Sequence, residues 1–365
     1  VICGRAGYNL SYNGIQGLYQ VEGGIDNANG DGLAGSGDGT PATTPDDNDN
    51  SGTLQYMRIE YAGYAYQPDK EINSLTLAAV GSGTTIDHIQ VIYAKDDAYE
   101  WFGGSVNCKY LIAYKTQDDD FDTDNGYKGK VQFGLVIRDS LIADISTSEA
   151  FESDNNANGT TSTPKTGAIF SNITAIGPRA TLNNTGSSLF RCGAQIRRNS
   201  AISIFNSIIM GWPQGILIDA TTGTSTALNI EDSSLRIRNV TLAGNPVSFK
   251  FSGAAGATIN SDATLTAWAT SPYYNNDILV NTSDAKLIQP YLYGAPDPTP
   301  FGNTGTGNLK ILTGGGFTDP KFNGDTFFDK KLPEDATKDL TFRGAVAPAG
   351  PLSSWWKGWT RWNVN

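Results

Sequence analysis

Cysteine and histidine are scarce in this sequence, and their scarcity excludes several kinds of site. The 365 residues include 3 cysteines and 1 histidine. Cys3, Cys108 and Cys192 are odd in number and far apart, so they predict neither a disulfide framework nor a paired-cysteine metal site. We expect them to be small buried apolar residues. His88 cannot form a multi-histidine site alone, and its position among strand residues predicts a structural role.

Positive charge and long apolar runs are also missing. The formal net charge is -11, and a surface of this sign repels nucleic-acid phosphates and anionic lipids. We therefore expect no nucleic-acid partner. No run of about 18 apolar residues occurs, which predicts that the chain has no transmembrane helix. The opening "VICGRAG" is typical of a strand interior, so we expect an export signal, and any lipid anchor, to lie outside the given sequence.

Helical periodicity is absent, whereas short segments with an apolar-x-apolar core recur, as in "LQYMRIEYAG", "IDHIQVIYAK" and "IRNVTLAG". Their first core positions are separated by 22 to 35 residues, a spacing typical of solenoid coils. These positions are Met57, Ile89, Leu111, Leu141, Ile173, Ile208 and Val240. We predict that all of them except Ile208, for which no direction is predicted, point into the core.

A second short strand follows several of these cores, as "DDAYEWFGG" follows "IQVIYAK". Two strands per coil predict an all-β fold, a right-handed parallel β-helix (solenoid). The alternative is a β-propeller, but its blades need about 40 residues and four strands each. We expect coils over residues 1–252. Residues 253–365 should form an irregular C-terminal region with a Trp-rich cap, packed on the helix within one structural domain.

Alignment of the second strands gives three columns of equivalent residues. Tyr99, Phe121 and Phe151 form an aromatic column that should point inward. Since side chains alternate along a strand, their neighbours Glu100, Asp122 and Glu152 should point outward as a carboxylate ladder. Asp97, Asp119 and Glu149 form the third column. Stacked like charges repel, so the ladder needs a cation, basic partners such as Lys128, Lys130 or Arg138, or full solvent screening.

Loops rich in Asp, Asn and Gly favour the cation among these options. Asp154, Asn156 and Asn158 before Gly159 match the first half of a calcium loop, although the closing Glu is missing. Half matches also begin at Asn27, Asp47 and Asp120, and ordinary turns have the same composition. The predicted cofactor is Ca²⁺. The predicted ligands are Asp97, Glu100, Asp119, Asp120, Asp122, Asp124, Glu152, Asp154, Asn156 and Asn158.

Enzymatic motifs are weaker, because neither a G-x-S-x-G nor a nucleotide-binding loop occurs. Clustered acids could serve glycoside hydrolysis or calcium-assisted elimination of uronides, for which Lys128, Lys130 and Arg138 are candidate bases.

The tail "SSWWKGWTRWNVN" carries Trp355, Trp356, Trp359 and Trp362. Trp355 and Trp359 are candidate carbohydrate-binding residues, and the alternative is that the rings seal an open end of the solenoid.

Several stretches together resemble a group of exported proteins of Bacteroidota and other Gram-negative bacteria, usually described as hypothetical proteins or lipoproteins. The resemblance covers most of the chain and is carried by "SGTLQYMRIEYAG", "DDAYEWFGGSVNCKYLIAYKTQDDDFDTDNGYKGKVQFGLV", "FESDNNANG" and the closing "WWKGWTRWN". It implies a parallel β-helix at the cell surface or outside the cell, and it assigns no catalytic residues. The sequence departs from the group at "FFDKKLPEDATKDLTFRGAV", so the tail is expected to pack differently.

The function expected from the sequence is therefore non-catalytic. A cell-surface (outer membrane) or extracellular β-helix would bind a glycan or a partner protein, as an accessory of an outer-membrane uptake assembly, and would be stiffened by Ca²⁺. The alternative is a calcium-dependent polysaccharide lyase or a glycoside hydrolase. An enzyme needs the acidic columns in an open groove beside a basic residue, whereas a structural cation site is closed by the protein.

Overall fold

Two long sheets, in which all neighbouring strands are parallel, organise the molecule. The structure is a computed structural model that describes residues 1–23, 27, 29–36, 44–67, 70–303 and 305–364. The chain alternates between the sheets, so that Thr85–Ile92 of one sheet is followed by Tyr99–Phe102 of the other and then by Asn107–Tyr114 of the first. This is a parallel β-helix, which confirms the predicted fold class.

We call the two sheets sheet 1 and sheet 2. In spatial order, sheet 1 contains Ile2–Cys3, Leu75–Ala78, Tyr99–Phe102, Phe121–Asp124, Phe151–Ser153, Cys192–Arg197, Gln214–Ala220 and Val247–Gly253. Sheet 2 contains Thr53–Glu60, Thr85–Ile92, Asn107–Tyr114, Lys130–Ile137, Ile169–Ile176, Ile208–Met210, Thr241–Ala243 and Asp277–Leu279, with Ser203–Phe205 and Ile237–Arg238 paired beside them.

The remaining elements are short. Antiparallel pairs join Ser11–Tyr12 to Ile15–Gln16, Leu18–Gln20 to Leu33–Gly35, Tyr64–Gln67 to Lys70–Ile72, Leu287–Gln289 to Asp297–Pro300, and Lys331–Leu332 to Asp335–Asp339. The α-helices are Ala227–Glu231, Asp262–Ala269 and Leu309–Thr313, and the 3-10 helices are Thr282–Ala285, Pro320–Phe322 and Pro351–Ser353. Within the described residues, none of these helices has the length and apolar character needed to cross a membrane.

The inner faces of the two sheets enclose the main core. Tyr99, Phe121 and Phe151 pair in register and are fully buried, as predicted. The ring centroids of Tyr99 and Phe121 are 5.7 Å apart, and those of Phe121 and Phe151 are 5.5 Å apart. Stacking of aromatic rings from successive coils therefore fills the centre of the solenoid.

At a recurrent position in or beside the sheet 2 strands, eight residues have a left-handed backbone conformation, with φ between 50° and 64°. These residues are Tyr56, His88, Tyr110, Phe133, Asn172, Asn206, Asn239 and Asn275. Asparagine tolerates this conformation, and the bulky rings offset its cost by stacking. The His88 ring lies 4.5 Å from the Tyr56 ring and 4.4 Å from the Tyr110 ring, so His88 has the structural role predicted for it.

Leu141 was predicted to be in the core, but it is 78% exposed in a loop. The coil instead uses the strand Lys130–Ile137, where Gly134 pairs in register with Leu111 and Ile173. A Cβ atom at Gly134 would lie 2.8 Å from Cδ1 of Ile173, so a larger residue there would require the Ile173 side chain to shift. The prediction was wrong because the true core position has no side chain and gives no apolar signal.

Two other repeat positions do not belong to the fully buried, inward-facing series. Met57 pairs with Ile89, but it is 40% exposed because its strand, Thr53–Glu60, ends sheet 2 within the described residues. Ile208 pairs with Thr174 and lies one residue out of the series, so it packs on the outer face of sheet 2. The other predicted core residues, Ile89, Leu111, Ile173 and Val240, are fully buried.

The C-terminal region covers the outer face of sheet 2. Trp356 is buried there in one cluster with Ile92, Ile112, Leu135 and Ile137. The tail therefore lies along the side of the solenoid. The sequence had instead predicted that the tail seals an open end of the solenoid. Parallel sheets are normally covered on both faces, which explains the apolar outer residues. The strand Asp277–Leu279 still pairs with Thr241–Ala243, so the parallel sheet continues beyond residue 252.

Candidate functional site

Carboxylates are concentrated on the outer face of sheet 1. Glu100, Asp122 and Glu152 pair in register on neighbouring strands, in the column that the sequence predicted. Their neighbours Tyr99 and Phe121 point into the core, so alternation along the strand directs the acidic side chains outward. The face therefore carries like charges at the spacing of adjacent strands.

Side chains of the third column bind the backbone of the next coil. The backbone N–H of Asp97 donates to Oδ1 of Asn73 at 3.3 Å, and that of Asp119 donates to Oδ1 of Asp97 at 2.8 Å. The backbone N–H of Glu149 donates to Oδ1 of Asp119 at 2.6 Å. Each oxygen caps a donor one coil further on, so this column has a structural task in addition to its charge.

Carboxylates of the Glu100 column and of the Asp97 column lie close enough together to bind the same ion. Three groups of carboxylates each bring one oxygen per residue within 4.8 Å of the others. The groups are Asp96, Asp97 and Asp118; Asp97, Glu100 and Asp122; and Asp119, Glu149 and Glu152. Calcium–oxygen distances are about 2.4 Å, so oxygens on opposite sides of one Ca²⁺ ion lie about 4.8 Å apart. Each group therefore has the dimensions of a partial calcium shell.

Burial changes the acidity of these groups. Loss of solvent, reinforced by the charge of Asp122, raises the pKa of Glu100 well above its ordinary value. Burial, with Glu152 as the next cause, raises the pKa of Glu149 to about 8. Burial likewise raises the pKa of Asp96 to about 8, with the charge of Asp118 adding to it. Closely spaced buried carboxylates cannot all be ionised together unless a cation compensates them.

Some of these oxygens lack a partner. Among the described residues, Oε2 of Glu149 and Oδ1 of Asp122 are buried and have no hydrogen-bond partner. Glu149 itself is fully buried. A buried acceptor without a donor is destabilising, and a cation would satisfy it.

Arginines compensate the charge at one end of the ladder. The guanidinium of Arg197 binds the carboxylate of Glu152, and its Nε donates to Oδ1 of Asp154 at 2.8 Å. Nη1 of Arg198 donates to Oδ2 of Asp154 at 2.6 Å. Both oxygens of Asp154 are thus bound by arginine, and the pKa of Arg197 is raised because these acids hold it charged.

Other predicted ligands are placed differently. Asp120 is fully buried, and its Oδ1 lies 3.1 Å from Nη1 of the equally buried Arg138. Oδ1 of Asn156 accepts hydrogen bonds from the backbone N–H groups of Asn158 and Thr160. These bonds make the loop a turn and occupy the oxygen that a calcium ion would use. The metal-ligand role of these residues stays a prediction.

Asp124 lies at the end of its strand, in register with Phe102, and its Oδ1 accepts a hydrogen bond from the backbone N–H of Asn125 at 2.5 Å. It is outside the three carboxylate groups.

The residues suggested as bases for elimination are bound elsewhere. Lys128 pairs with Asp47, and Lys130 pairs with Asp325. Arg138 is buried against Asp120. None of the three is therefore available to accept a proton on the acidic face.

The tryptophans suggested for carbohydrate binding are half-buried on the other side of the solenoid. Nε1 of Trp355 donates to the carbonyl oxygen of Ala345 at 2.8 Å, and Nε1 of Trp359 donates to that of Trp355 at 2.8 Å. The Trp359 ring centroid lies 5.4 Å from that of His88. Both rings support the tail, and their role in carbohydrate binding stays a prediction.

Several residues of the acidic face were not among the predicted ligands. Asp96 and Asp118 complete one carboxylate group, and Glu149 completes another. The doubled acids "DD" at 96–97 and 118–119 were the signal for the first pair. Arg197 and Arg198 gave no signal, because they lie more than forty residues after their partners in the chain.

Comparison with known families gives one result, and it concerns the solenoid. A family model described as "Pectate-lyase like beta helix domain" matches residues 1–278. Comparison with curated proteins and with solved structures found no match. The matched segment includes both sheets up to the strand that begins at Asp277, and with them the whole acidic face. The chain belongs to the family of pectate-lyase-like β-helix domains.

Proposed function

We propose that this β-helix is a non-catalytic binding protein whose acidic face holds Ca²⁺ and whose surface binds a glycan. The observation that carries the proposal is the pair of carboxylate groups Asp97–Glu100–Asp122 and Asp119–Glu149–Glu152. Within them, Asp122 and Glu149 each have a buried oxygen that finds no hydrogen-bond partner in the described part of the chain. Oxygen-rich acidic groups of this kind suit a hard divalent cation. The ion would cancel the repulsion within the ladder and stiffen neighbouring coils.

The proposal extends to location and partners. Weak calcium sites, with dissociation constants of about 10⁻⁴ to 10⁻³ M, are typical of extracellular modules. We place the protein at the cell surface or outside the cell, in Bacteroidota or related Gram-negative bacteria, as a lipoprotein or secreted protein. There it would serve as an accessory of an outer-membrane uptake assembly.

A calcium-dependent polysaccharide lyase is the second candidate, and the family description favours it. An elimination needs a base that can lose its proton near the substrate. Arg197 is adjacent to the acids, but Glu152 and Asp154 hold it charged. Lys128 and Lys130 do not replace Arg197 as the base, because they are paired with Asp47 and Asp325. We therefore rank binding above cleavage.

Calorimetric titration with Ca²⁺ tests the proposal. We expect binding to the native chain that is weakened in Glu100→Gln and Asp122→Asn. The matched control is Asp339→Asn. It replaces an exposed carboxylate on a hairpin far from sheet 1 in the sequence, and it should bind Ca²⁺ as the native chain does. Absence of calcium binding in the native chain would refute the cation role.

A parallel assay separates binding from cleavage. The native chain is incubated with Ca²⁺ and a panel of acidic and neutral polysaccharides, and unsaturated uronides and new reducing ends are recorded. We expect glycan binding without product. Calcium-dependent product that is lost in Asp122→Asn would establish the lyase instead.

A further inference from the structure

A cavity of about 310 Å³ lies beside the acidic ladder. Phe102 and Asp124, at the ends of two sheet 1 strands, contribute to it together with Asn125. The N-terminal segment forms one wall and the loop around Asn156 forms another. Ligand pockets begin at roughly this volume and combine apolar walls with a few polar groups, so the cavity has the size for a small ring.

The N-terminal wall is fixed to sheet 1 before any ligand arrives. The backbone N–H of Asn9 donates to the carbonyl oxygen of Asn125 at 3.0 Å, and its Nδ2 donates to that of Asn155 at 2.6 Å. A Cβ atom at Gly103, whose φ is +62°, would lie 2.7 Å from the carbonyl oxygen of Gly7. Glycine at this position therefore permits the close approach, and the cavity is preformed.

The chemistry of the lining selects the ligand. The rings of Tyr19 and Phe102, with Leu10 and Val21, supply apolar surface that suits the C–H face of a sugar ring. The charged residues in the lining are Glu22 and Asp124, and the described lining contains no lysine or arginine. A uronate, phosphate or sulfate would thus find no counter-charge in the described lining, and an ammonium group would lose its hydration against the apolar walls with only the two carboxyl groups as partners. Hydroxyl groups can donate to the carboxyl oxygens without either cost.

We propose that this cavity, between the N-terminal segment and the end of the acidic ladder, binds a neutral sugar unit. The inference rests on the glycan-binding part of the function proposed above and specifies its ligand class. The carboxyl groups of Glu22 and Asp124 accept hydrogen bonds from ring hydroxyls, while Phe102 and Tyr19 contact the ring. Calcium, held by the neighbouring carboxylate groups, is not required to contact the sugar.

The test fills the cavity without removing a buried side chain. Ala157 is an exposed lining residue, so Ala157→Trp should block the cavity while the fold is kept. Ala255→Trp, at another exposed alanine beyond the last sheet 1 strand, is the matched control. Tyr19→Ala is a second variant that removes one ring contact, and thermal melting checks that each variant is folded.

Calorimetry or affinity electrophoresis is run with neutral gluco-, manno-, galacto- and arabino-oligosaccharides, oligogalacturonate and chitosan oligosaccharides. We expect at least one neutral series to bind, with an affinity that falls by about tenfold or more in Ala157→Trp and is unchanged in Ala255→Trp. Tyr19→Ala should weaken this binding if folded.

The other outcomes contradict the inference in distinguishable ways. Binding of a neutral series that survives Ala157→Trp would reject the cavity while keeping a glycan-binding protein. Preference for oligogalacturonate or for chitosan oligosaccharides would reject the neutral ligand class. Absence of binding to every sugar, together with normal calcium binding, would reject the glycan part of the proposed function itself.

Discussion

The outer faces of the two sheets have opposite surroundings, although both belong to the same coils. On sheet 2, Ile112 and Leu135 face outward and are buried beneath the tail around Trp356. On sheet 1, the equivalent outward positions carry Glu100 and Asp122. One face is sealed by apolar packing, and the other keeps acidic groups that need a partner. In a solenoid the inner core sets the fold, so the outer faces are free to differ in task.

This difference also separates the two kinds of stabilisation. The sheet 2 face gains free energy by removing apolar surface from water, a step in which no proton or cation is bound. The sheet 1 face contains buried carboxylates, so its contribution depends on protons and cations. Perturbing one face at a time therefore distinguishes them.

The largest effect is expected from the sealed face. Trp356→Ala should lower the free energy of unfolding by about 3 to 5 kcal/mol, because it empties a buried site beneath the tail. Urea denaturation measures the change, and Val280→Ala, at a residue that is 70% exposed, is the control. The loss should be the same with and without Ca²⁺. A loss confined to calcium-free protein would show that the two faces are coupled.

The next effect should come from the acidic face. Calcium at about 100 times its dissociation constant should raise the free energy of unfolding by about 2.7 kcal/mol, since it binds only the folded chain. Thermal melting with Ca²⁺ and with chelator measures this, and Asp122→Asn should reduce the gain. If chelation leaves the melting temperature of the native chain unchanged, the ladder is stabilised without a cation.

Proton binding should give an effect of defined sign. The pKa values of Asp96 and Glu149 are about 8 in the folded chain, against ordinary values of 3.8 and 4.5. The folded state therefore holds more protons between about pH 4 and pH 8, and the free energy of unfolding falls as pH rises through this window. The contribution is fully present below the ordinary pKa values and is lost above about pH 8.

The measurement is urea denaturation in chelator at about pH 5 and about pH 8. The native chain should be more stable at the lower pH, and Glu149→Gln should show a smaller difference. Added Ca²⁺ competes with protons for the same oxygens, so it should reduce the slope. A native chain whose stability rises over this range would contradict the raised pKa values.

The structures of the two sheets could not be predicted equally well from the sequence. The column of Tyr99, Phe121 and Phe151 was predictable because acid-aromatic-acid blocks mark it in three coils. The acidic face followed from it by alternation. Gly134 was missed because glycine has no side chain and therefore gives no apolar signal at this core position.

The parts of the candidate site that depend on distant segments could not be predicted. Arg197 contacts Glu152 from the next coil, and no local sequence pattern predicts that contact. The cavity depends on how Asn9 ties the N-terminal segment to Asn125 and Asn155. Such contacts are set by loop packing and not by strand periodicity, so sequence spacing carries no signal for them.

The smallest effect is expected at the residue that the repeat pattern placed wrongly. Leu141 is 78% exposed, so Leu141→Ala should change the free energy of unfolding by no more than about 0.5 kcal/mol. Leu111→Ala, at a fully buried position of the true series, should cost about 2 to 5 kcal/mol. Urea denaturation of the two variants compares an exposed leucine with a buried one of the same chemistry. A cost at Leu141 similar to that at Leu111 would mean that the loop, and not Gly134 with its strand, belongs to the core. Equality of the two at a small value would instead show that the inner core tolerates cavities, which the full burial of Leu111 in the main core argues against.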